Sequence, residues 1–147
     1  LLEIITNKEF LMIRRTTIQK ELVFDAVRQL HNHPTADEVY ELVQATHPNI
    51  SKGTVYRNLN RLAEEGKIRK IEIPDGPDRF DHDCTNHYHV RCCKCGRAFD
   101  VDMETVSDLT QKVKNTHGFE FLDYDIIFKG ICPDCRKNDA YTHGNER

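Results

Sequence analysis

The chain has 147 residues, of which 38% are hydrophobic and 31% charged, and its formal net charge is −3. That composition suits a globular protein with a modest core, organised as one ordinary domain or two small ones. No run of about 18 apolar residues is present, which excludes a membrane-spanning helix. The apolar start of the chain has neither a basic front nor a small-residue cleavage site, so we expect no signal peptide and a cytoplasmic protein.

The charges are unevenly distributed along the chain. Residues 1–80 carry 12 basic and 12 acidic side chains, whereas residues 81–147 carry 9 and 12. The segment 51–61 contains Lys52, Arg57 and Arg61 and no acid. A local basic face of this kind is typical of a surface that meets nucleic acid, even in a chain whose net charge is negative.

Residues 1–66 show the spacing of helices. Apolar side chains at helical intervals predict a short amphipathic helix within residues 1–14 and further helices over residues 19–30, 35–44 and 51–66. Thr35 and Glu38 form a capping box at the start of the helix over 35–44. Ser51 is a good N-cap for the next helix, and Gly66 ends it.

Two short strands follow the helices. Residues 67–73 alternate imperfectly between apolar and polar side chains, residues 74–77 form a strong turn signal, and residues 79–81 make a returning strand. The last three of these helices, followed by a two-stranded hairpin, are typical of a winged helix-turn-helix domain, whose third helix, here over residues 51–66, lies in the major groove of DNA. The pattern alone leaves open a small helical domain with a surface hairpin.

The second half of the chain has a different pattern. We predict strands over residues 87–91 and 98–102, a helix over 105–116, a strand over 119–129 and a frayed tail over 138–147. This small α+β half needs additional stabilisation, which such domains commonly obtain from a bound metal or from pairing with a copy of themselves.

Four of the six cysteines form two C-x-x-C pairs, Cys92 with Cys95 and Cys132 with Cys135. Two thiolates three residues apart in a tight turn can reach one ion, and two such turns complete a closed tetrahedron. The pattern predicts a structural Zn²⁺ site whose binding energy contributes to folding. Redox-active dithiols are the alternative interpretation. Two cysteines outside the pairs are predicted to be ordinary small residues: Cys84 and Cys93.

Residues 81–89, of sequence DHDCTNHYH, are dense in metal-binding side chains. His87 and His89 are two residues apart, so on a strand they point to the same face. Two imidazoles and a carboxylate suit Fe²⁺ or Mn²⁺ as well as Zn²⁺. A polar loop with titrating surface histidines is the alternative interpretation.

Several motifs together resemble those of the ferric uptake regulator (Fur) family. In chain order they are His33-Pro-Thr-Ala-Asp37, Gly53-Thr-Val-Tyr-Arg-Asn-Leu59, Arg79-Phe-Asp81, His87-Tyr-His89 and the two C-x-x-C pairs. The resemblance runs from about Thr17 to Cys135. It implies an α+β chain, with an N-terminal winged helix-turn-helix DNA-binding domain (1–83) and a small C-terminal α/β dimerisation and metal-binding domain (84–147).

Within the family, the chain is most similar to the peroxide-sensing repressors. This resemblance implies that three histidines and two carboxylates hold a regulatory Fe²⁺ or Mn²⁺. The matching residues are His33, Asp81, His87, His89 and Asp100. Iron-responsive members usually have Glu in place of Asp100. A second metal site found in Fur proteins is not expected, because Tyr88 and Tyr124 occupy positions where those proteins have Asp and His.

The same resemblance implies how the chain acts. Fe²⁺ in the regulatory site reacts with hydrogen peroxide, His33 or His87 is oxidised, the metal is lost and the repressor leaves DNA. Mn²⁺ supports DNA binding but reacts poorly. This single-use response is not enzymatic turnover, so we do not expect an enzyme. The implied target is an A/T-rich inverted repeat in double-stranded DNA, bound by a homodimer.

The predicted helix over residues 51–66 supplies the expected DNA contacts. Lys52, Arg57 and Arg61 are expected to meet phosphates or guanine edges, and Thr54 and Tyr56 to pack on thymine methyl groups. Tyr56 lies off the apolar stripe of this helix, which favours exposure over a place in the core.

Other functions are open on the sequence alone. A mononuclear iron oxygenase or a metallohydrolase would suit two histidines and a carboxylate, but the segment has no catalytic base beyond the predicted ligands. A thiol–disulfide switch would use the C-x-x-C pairs. An iron-uptake or zinc-uptake repressor of the same family is the closest alternative.

Overall fold

The computed structural model describes residues 4–143, with side chains described through Asp139. The chain divides into two compact units, Leu1–Cys84 and Thr85–Arg147. The first unit contains α1 (Asn7–Gln29), α2 (Ala36–Thr46), α3 (Lys52–Glu64), β1 (Arg69–Ile71) and β2 (Arg79–Asp81). The second contains β3 (Tyr88–Cys92), β4 (Ala98–Val101), a 3₁₀ turn (Leu109–Lys112), β5 (Ile127–Gly130) and α4 (Pro133–His143).

The three long helices begin at side-chain caps. Thr35 and Glu38 form the predicted capping box of α2. At the start of α3, the Ser51 side chain accepts a hydrogen bond from the backbone N–H of Thr54. These caps satisfy N–H groups that a helix leaves without internal partners. The caps predicted for α2 and α3 are therefore confirmed.

The separate amphipathic helix predicted within residues 1–14 is wrong. A capping box of Thr6 and Glu9 starts α1, which continues unbroken to Gln29 because no Gly or Pro interrupts it. Four consecutive apolar residues in its first half are 56–63% exposed, so they do not form a one-sided buried stripe. They are Phe10, Leu11, Met12 and Ile13. Residues 1–3 lie outside the described part of the chain.

The core of the first unit lies between its three helices and the hairpin. The predicted stripes of α1, α2 and α3 supply most of it, and Ile68 and Phe80 add the hairpin to the same cluster. The fully buried side chains include Val23, Val27, Val39, Val55, Leu59, Leu62 and Ile68. Burial of such aliphatic side chains is the main term that stabilises a small unit.

The hairpin is antiparallel, with Ile71 opposite Arg79 and Arg69 opposite Asp81. β2 matches its predicted bounds, whereas β1 is shorter than the predicted strand over 67–73. β2 is also joined to the loop before α2, because the Phe80 N–H donates to the Pro34 carbonyl at 2.9 Å. The hairpin therefore fixes the position of the loop that carries His33.

The second unit contains a three-stranded sheet of order β4–β3–β5. β3 is central and pairs antiparallel with β4 and parallel with β5. The strands predicted over 87–91 and 98–102 agree with β3 and β4 to within one residue at each end. Of the strand predicted over 119–129, only β5 forms, from Ile127 onwards.

The helix predicted over residues 105–116 is wrong. Only the 3₁₀ turn forms there. Of the apolar residues at helical spacing that were expected to face inwards, Val106 is half-buried, and Leu109 and Val113 are 36% and 42% exposed. An amphipathic helix draws most of its stability from burying its apolar stripe, and the described part of the chain leaves Leu109 and Val113 of this stripe exposed. The frayed tail predicted over 138–147 is also wrong in its first part, because α4 extends to His143. Residues 144–147 lie outside the described part.

None of the helices in the described part of the chain combines the length and apolarity needed to cross a bilayer.

Candidate functional site

The four paired cysteines meet in the second unit. β3 ends at Cys92, a tight turn with Gly96 at φ +75° brings Cys95 back, and α4 begins directly after Cys132. One sulfur from each of the four residues lies within 4.8 Å of all the others. All four are free thiols. The sheet and the α4 N-terminus thus bring together two C-x-x-C pairs that are far apart in sequence.

The dimensions of the cysteine cluster fit a tetrahedral zinc ion. With Zn–S bonds of about 2.3 Å, adjacent corners of the tetrahedron are separated by about 3.8 Å. The sulfurs of Cys95 and Cys132 are 3.8 Å apart. Four thiolates with no open position are the donor set of a structural site rather than a catalytic one.

Hydrogen bonds prepare the cluster for thiolates. The Cys132 N–H donates to the Cys92 sulfur at 3.3 Å and, with the Cys95 N–H, lowers the pKa of the Cys92 thiol to about 5. Hydrogen bonding to Cys132 raises the pKa of Cys135 to about 12, so a proton remains on that sulfur when no metal is bound. A divalent ion displaces this proton on binding, because thiolate is the ligating form.

Arg97 is a member of this site that the sequence analysis missed. Its guanidinium donates to the sulfurs of Cys95 and Cys132 at 3.4 and 3.8 Å and pairs with Asp134 at 3.1 Å. The same guanidinium lowers the pKa of the Cys95 thiol. A positive charge at this position offsets the negative charge of four thiolates around one divalent ion. The available signal was a basic residue directly after the Cys95-Gly96 turn.

The remaining cysteines lie outside the cluster. Cys84 is exposed and its thiol donates to the Gly66 carbonyl at 3.3 Å, whereas Cys93 is exposed and its N–H donates to the Gly130 carbonyl. Neither belongs to a group of metal-binding side chains among the described residues.

Three predicted ligands of the regulatory ion lie together on the β3–β4 pair. Asp100 stands opposite His89 in the antiparallel register. Its Oδ1 lies 3.4 Å from His89 Nε2 and 3.1 Å from Nε2 of His87, which precedes β3. The two imidazole centroids are 4.6 Å apart. Two nitrogens and a carboxylate oxygen therefore converge on one small volume.

The tautomer of His87 is set by its other ring nitrogen. His87 Nδ1 lies 2.6 Å from the Thr85 carbonyl, which can only accept a hydrogen bond. A hydrogen bond there requires the proton on Nδ1, which leaves Nε2, the nitrogen that faces Asp100, as the atom able to bind an ion. A backbone carbonyl that orients a histidine in this way is the usual second partner of a metal-ligating imidazole.

The other two predicted ligands form a buried pair within the first unit. His33 Nε2 lies 3.0 Å from Asp81 Oδ2, and their side chains are 8% and 6% exposed. Asp81 Oδ1 accepts the N–H of Asp83 at 2.9 Å, which directs the second carboxylate oxygen towards His33. A buried histidine and a buried carboxylate held in register have the chemistry of half a metal site.

His33 adopts a strained backbone conformation that two contacts maintain. Its φ is +51°, which is uncommon for a residue other than glycine. Its carbonyl accepts a hydrogen bond from Arg79 Nη1 at 2.9 Å. Arg79 is itself buried, and its backbone forms an isolated antiparallel β-bridge with Thr35. Backbone strain retained by surrounding contacts is typical of functional positions.

The predicted DNA-contact residues lie on the solvent side of α3. Lys52, Tyr56, Arg57 and Arg61 are exposed and Thr54 is half-buried, opposite the buried stripe of that helix. Tyr56 is 40% exposed, as its position off the stripe predicts. Arg57 donates to Thr54 Oγ1 at 3.2 Å, which orders its guanidinium above the first turn. The face is suited to phosphates and base edges.

The second unit also carries several large apolar side chains that are exposed. Phe119 and Leu122 are 73% and 90% exposed, and Phe121 and Phe128 are 46% and 44% exposed. Apolar side chains exposed to this degree are typical of surfaces that another protein covers.

The chain resembles proteins of known function over most of its length. A model described as the ferric uptake regulator family matches residues 13–129. The peroxide-responsive repressor PerR of Staphylococcus epidermidis is 31% identical over 123 residues, covering 84% of this chain and 82% of that protein. PerR of Staphylococcus saprophyticus is 32% identical over 122 residues, covering 83% and 82%.

The fold of the chain is also similar to that of a solved structure. The Campylobacter jejuni peroxide stress regulator superposes with a TM-score of 0.63 at 26% identity, covering 88% of this chain and 99% of that chain. The Fur-type fold, with helices and small sheets, therefore holds for this chain as well.

Proposed function

The chain belongs to the ferric uptake regulator family, and on that premise we propose that it is a metal-dependent DNA-binding repressor that senses peroxide. Members of this family are transcription regulators, and the curated relatives just described are peroxide-responsive repressors. The observation that carries the proposal is the Asp100 carboxylate, which lies 3.1 and 3.4 Å from the Nε2 atoms of His87 and His89. A mixed nitrogen and oxygen donor set of this kind suits Fe²⁺ and Mn²⁺.

The regulatory ion is proposed to take ligands from both halves of the chain. His87, His89 and Asp100 supply three, and His33 and Asp81 supply the other two. The local geometry supports each group separately, since His33 and Asp81 already pair within the first unit. Binding of one ion by both groups makes the relative position of the halves depend on metal, which is the two-state element that a sensor needs.

The first unit is proposed to be a winged helix-turn-helix domain, with α3 in the major groove and β1–β2 as the wing. Exposed basic residues on α3 support this role. Two copies in a homodimer would present their recognition helices about 34 Å apart, one groove repeat. The proposed target is an A/T-rich inverted repeat, whose symmetry matches that of the dimer.

The second unit is proposed to form the dimer. Its exposed aromatic and aliphatic side chains, such as Phe119 and Leu122, support a contact with a second copy. The four-cysteine cluster is proposed to hold a structural Zn²⁺ that joins β3 to the start of α4. The ion then replaces part of the apolar core that so small a unit lacks.

Fe²⁺ held by these residues would supply the redox chemistry that activates hydrogen peroxide. The imidazole itself would give up the two electrons and gain one peroxide oxygen, and the other oxygen would leave as water, so the iron is not consumed. His33 and His87 are the proposed sites of this oxidation. The Thr85 carbonyl holds the His87 ring so that Nε2 alone is offered to the ion. An oxidised imidazole is a poorer metal ligand, so the repressor would release the regulatory ion and dissociate from DNA. The response is used once and is not catalytic turnover.

Operator affinity in two metal forms tests the proposal. The zinc-containing chain is loaded with Mn²⁺ or with Fe²⁺, and binding to a duplex selected by the Mn²⁺ form is measured before and after brief peroxide. We expect only the Fe²⁺ form to lose affinity, and the peptide carrying His33 or His87 to gain the mass of one oxygen. If both forms keep their affinity, the chain is an iron-uptake or other metal-uptake repressor of the family instead.

A further inference from the structure

Asp37 connects α2 to the exposed face of α3. Its carboxylate lies 2.8 Å from Lys52 Nζ and accepts a hydrogen bond from the Tyr56 hydroxyl at 2.7 Å. Lys52 is the first residue of α3, and Tyr56 lies one turn further along. Both are residues that the sequence analysis assigned to DNA contact. One acidic side chain from another helix therefore contacts two of the five residues expected to meet DNA.

The position has an electrostatic explanation. The first turn of α3 contains no acidic residue and begins with a lysine, although the N-terminus of a helix favours negative charge. Asp37 supplies that charge from the first turn of α2. Lys52 and Tyr56 lower the pKa of Asp37, and Asp37 raises the pKa of Tyr56, so the carboxylate is ionised and the phenol retains its proton.

We propose that Asp37 is a specificity-determining residue of the DNA-binding surface, which masks Lys52 from phosphates and orients Tyr56 towards base edges. The inference rests on the proposed DNA-binding function. Phosphate contacts are made with any sequence, whereas base contacts distinguish one sequence from another. A carboxylate that competes with phosphate for Lys52 weakens binding to every duplex. The same carboxylate, by fixing Tyr56, preserves the contacts that only the correct sequence offers.

The test compares operator with non-operator DNA. The operator probe is the duplex enriched from a random pool by the wild-type Mn²⁺ form, and the competitor is a mixed-sequence duplex of equal length. For Asp37→Asn, which keeps the shape of the side chain but removes the charge that holds Lys52 and weakens the acceptor that orients Tyr56, we expect competitor affinity to rise about two- to fivefold. The salt dependence of competitor binding should steepen by about one phosphate contact. Operator affinity should rise less, because a less firmly held Tyr56 loses part of its contact with base edges, so the ratio of operator to competitor affinity falls.

Two further variants distinguish the proposed role of Asp37 from a general effect of net charge, and a stability measurement distinguishes it from a folding defect. Asp25→Asn makes the same change in net charge at a side chain that is 62% exposed, against 59% for Asp37. In a Lys52→Gln background, Asp37→Asn should no longer raise competitor affinity, because the masked cation is gone. Thermal unfolding of each variant confirms that it is folded.

The outcomes are distinguishable. An equal rise for Asp25→Asn and Asp37→Asn, an unchanged specificity ratio, or a rise that persists without Lys52 would overturn the role of Asp37 and leave the repressor function intact. If the wild-type protein enriches no sequence from the pool, the proposed function itself is wrong, and the inference fails with it.

Discussion

Asp100 lies directly opposite His89 in the β3–β4 pair, and its Oδ1 is 3.4 Å from the Nε2 of that histidine. The antiparallel register sets this relationship, because residues that face each other across the two strands point to the same side of the sheet. His87 joins them from the residue before β3, at 3.1 Å from the same oxygen. Three of the five proposed ligands of the regulatory ion are thus positioned by this strand pair in the second unit.

Replacing Asp100 with Asn should weaken Mn²⁺ binding to the zinc-containing chain by at least tenfold. The amide keeps the size of the side chain but removes the charge that balances a divalent ion, and losing even a residue that only orients a ligand commonly costs about 10–100-fold in metal affinity. Competition with a metal-sensitive dye measures the affinity. Asp108→Asn is the matched control, because Asp108 is 59% exposed against 57% for Asp100. Equal effects of both changes would contradict a ligand role for Asp100.

Replacing Cys135 with Ala should abolish zinc retention, whereas Cys93→Ala should leave one zinc ion per chain. Cys135 belongs to the four-sulfur cluster and Cys93 does not. Thiol titration under denaturing conditions, with released zinc counted by a coloured chelator, provides the measurement. Release of one ion for four titrated thiols supports the structural site. Oxidised pairs without zinc would show instead that the C-x-x-C motifs are a thiol–disulfide switch.

Replacing Arg79 with Ala should lower the free energy of unfolding of the metal-free protein by about 2 kcal/mol, since a buried hydrogen bond from a charged group is lost. The change removes the donor that holds the His33 carbonyl at 2.9 Å. Urea titration measures the difference. Arg28→Ala is the control, because Arg28 is 60% exposed and its contact with Asp25 is 4.0 Å long. A loss for Arg79→Ala no larger than that of the control would show that this contact does not stabilise the loop.

Replacing Leu122 with Glu should weaken homodimerisation by at least tenfold, because a charge placed in an apolar interface loses its hydration without gaining a partner. Sedimentation equilibrium measures the association. Ile4→Glu makes the same change at a side chain that is 93% exposed in the first unit, against 90% for Leu122. An undisturbed dimer in the Leu122 variant, or an equal loss in both, would place the interface elsewhere.

The sequence by itself predicted the features that depend on neighbouring residues. Capping of α2 by Thr35 and Glu38, the start of α3 at Ser51 and the bounds of β2 follow from local hydrogen bonding and short-range spacing. The two C-x-x-C pairs were also recognisable, because each pair is a local turn with a fixed distance between sulfurs. These interactions are complete within a few residues, so the order of the side chains is sufficient to identify them.

Only the tertiary structure decided which distant side chains meet. The helix predicted over 105–116 did not form, because its apolar stripe depends on burial that the local sequence cannot report. Several contacts join separate elements in this way. Arg79 binds the His33 carbonyl, the Arg97 guanidinium donates to the sulfurs of Cys95 and Cys132, and the Asp37 carboxylate pairs with Lys52 of α3. Such contacts arise from the packing of helices and the register of strands. Packing depends on many apolar contacts between distant residues, and no single short motif in the sequence specifies them.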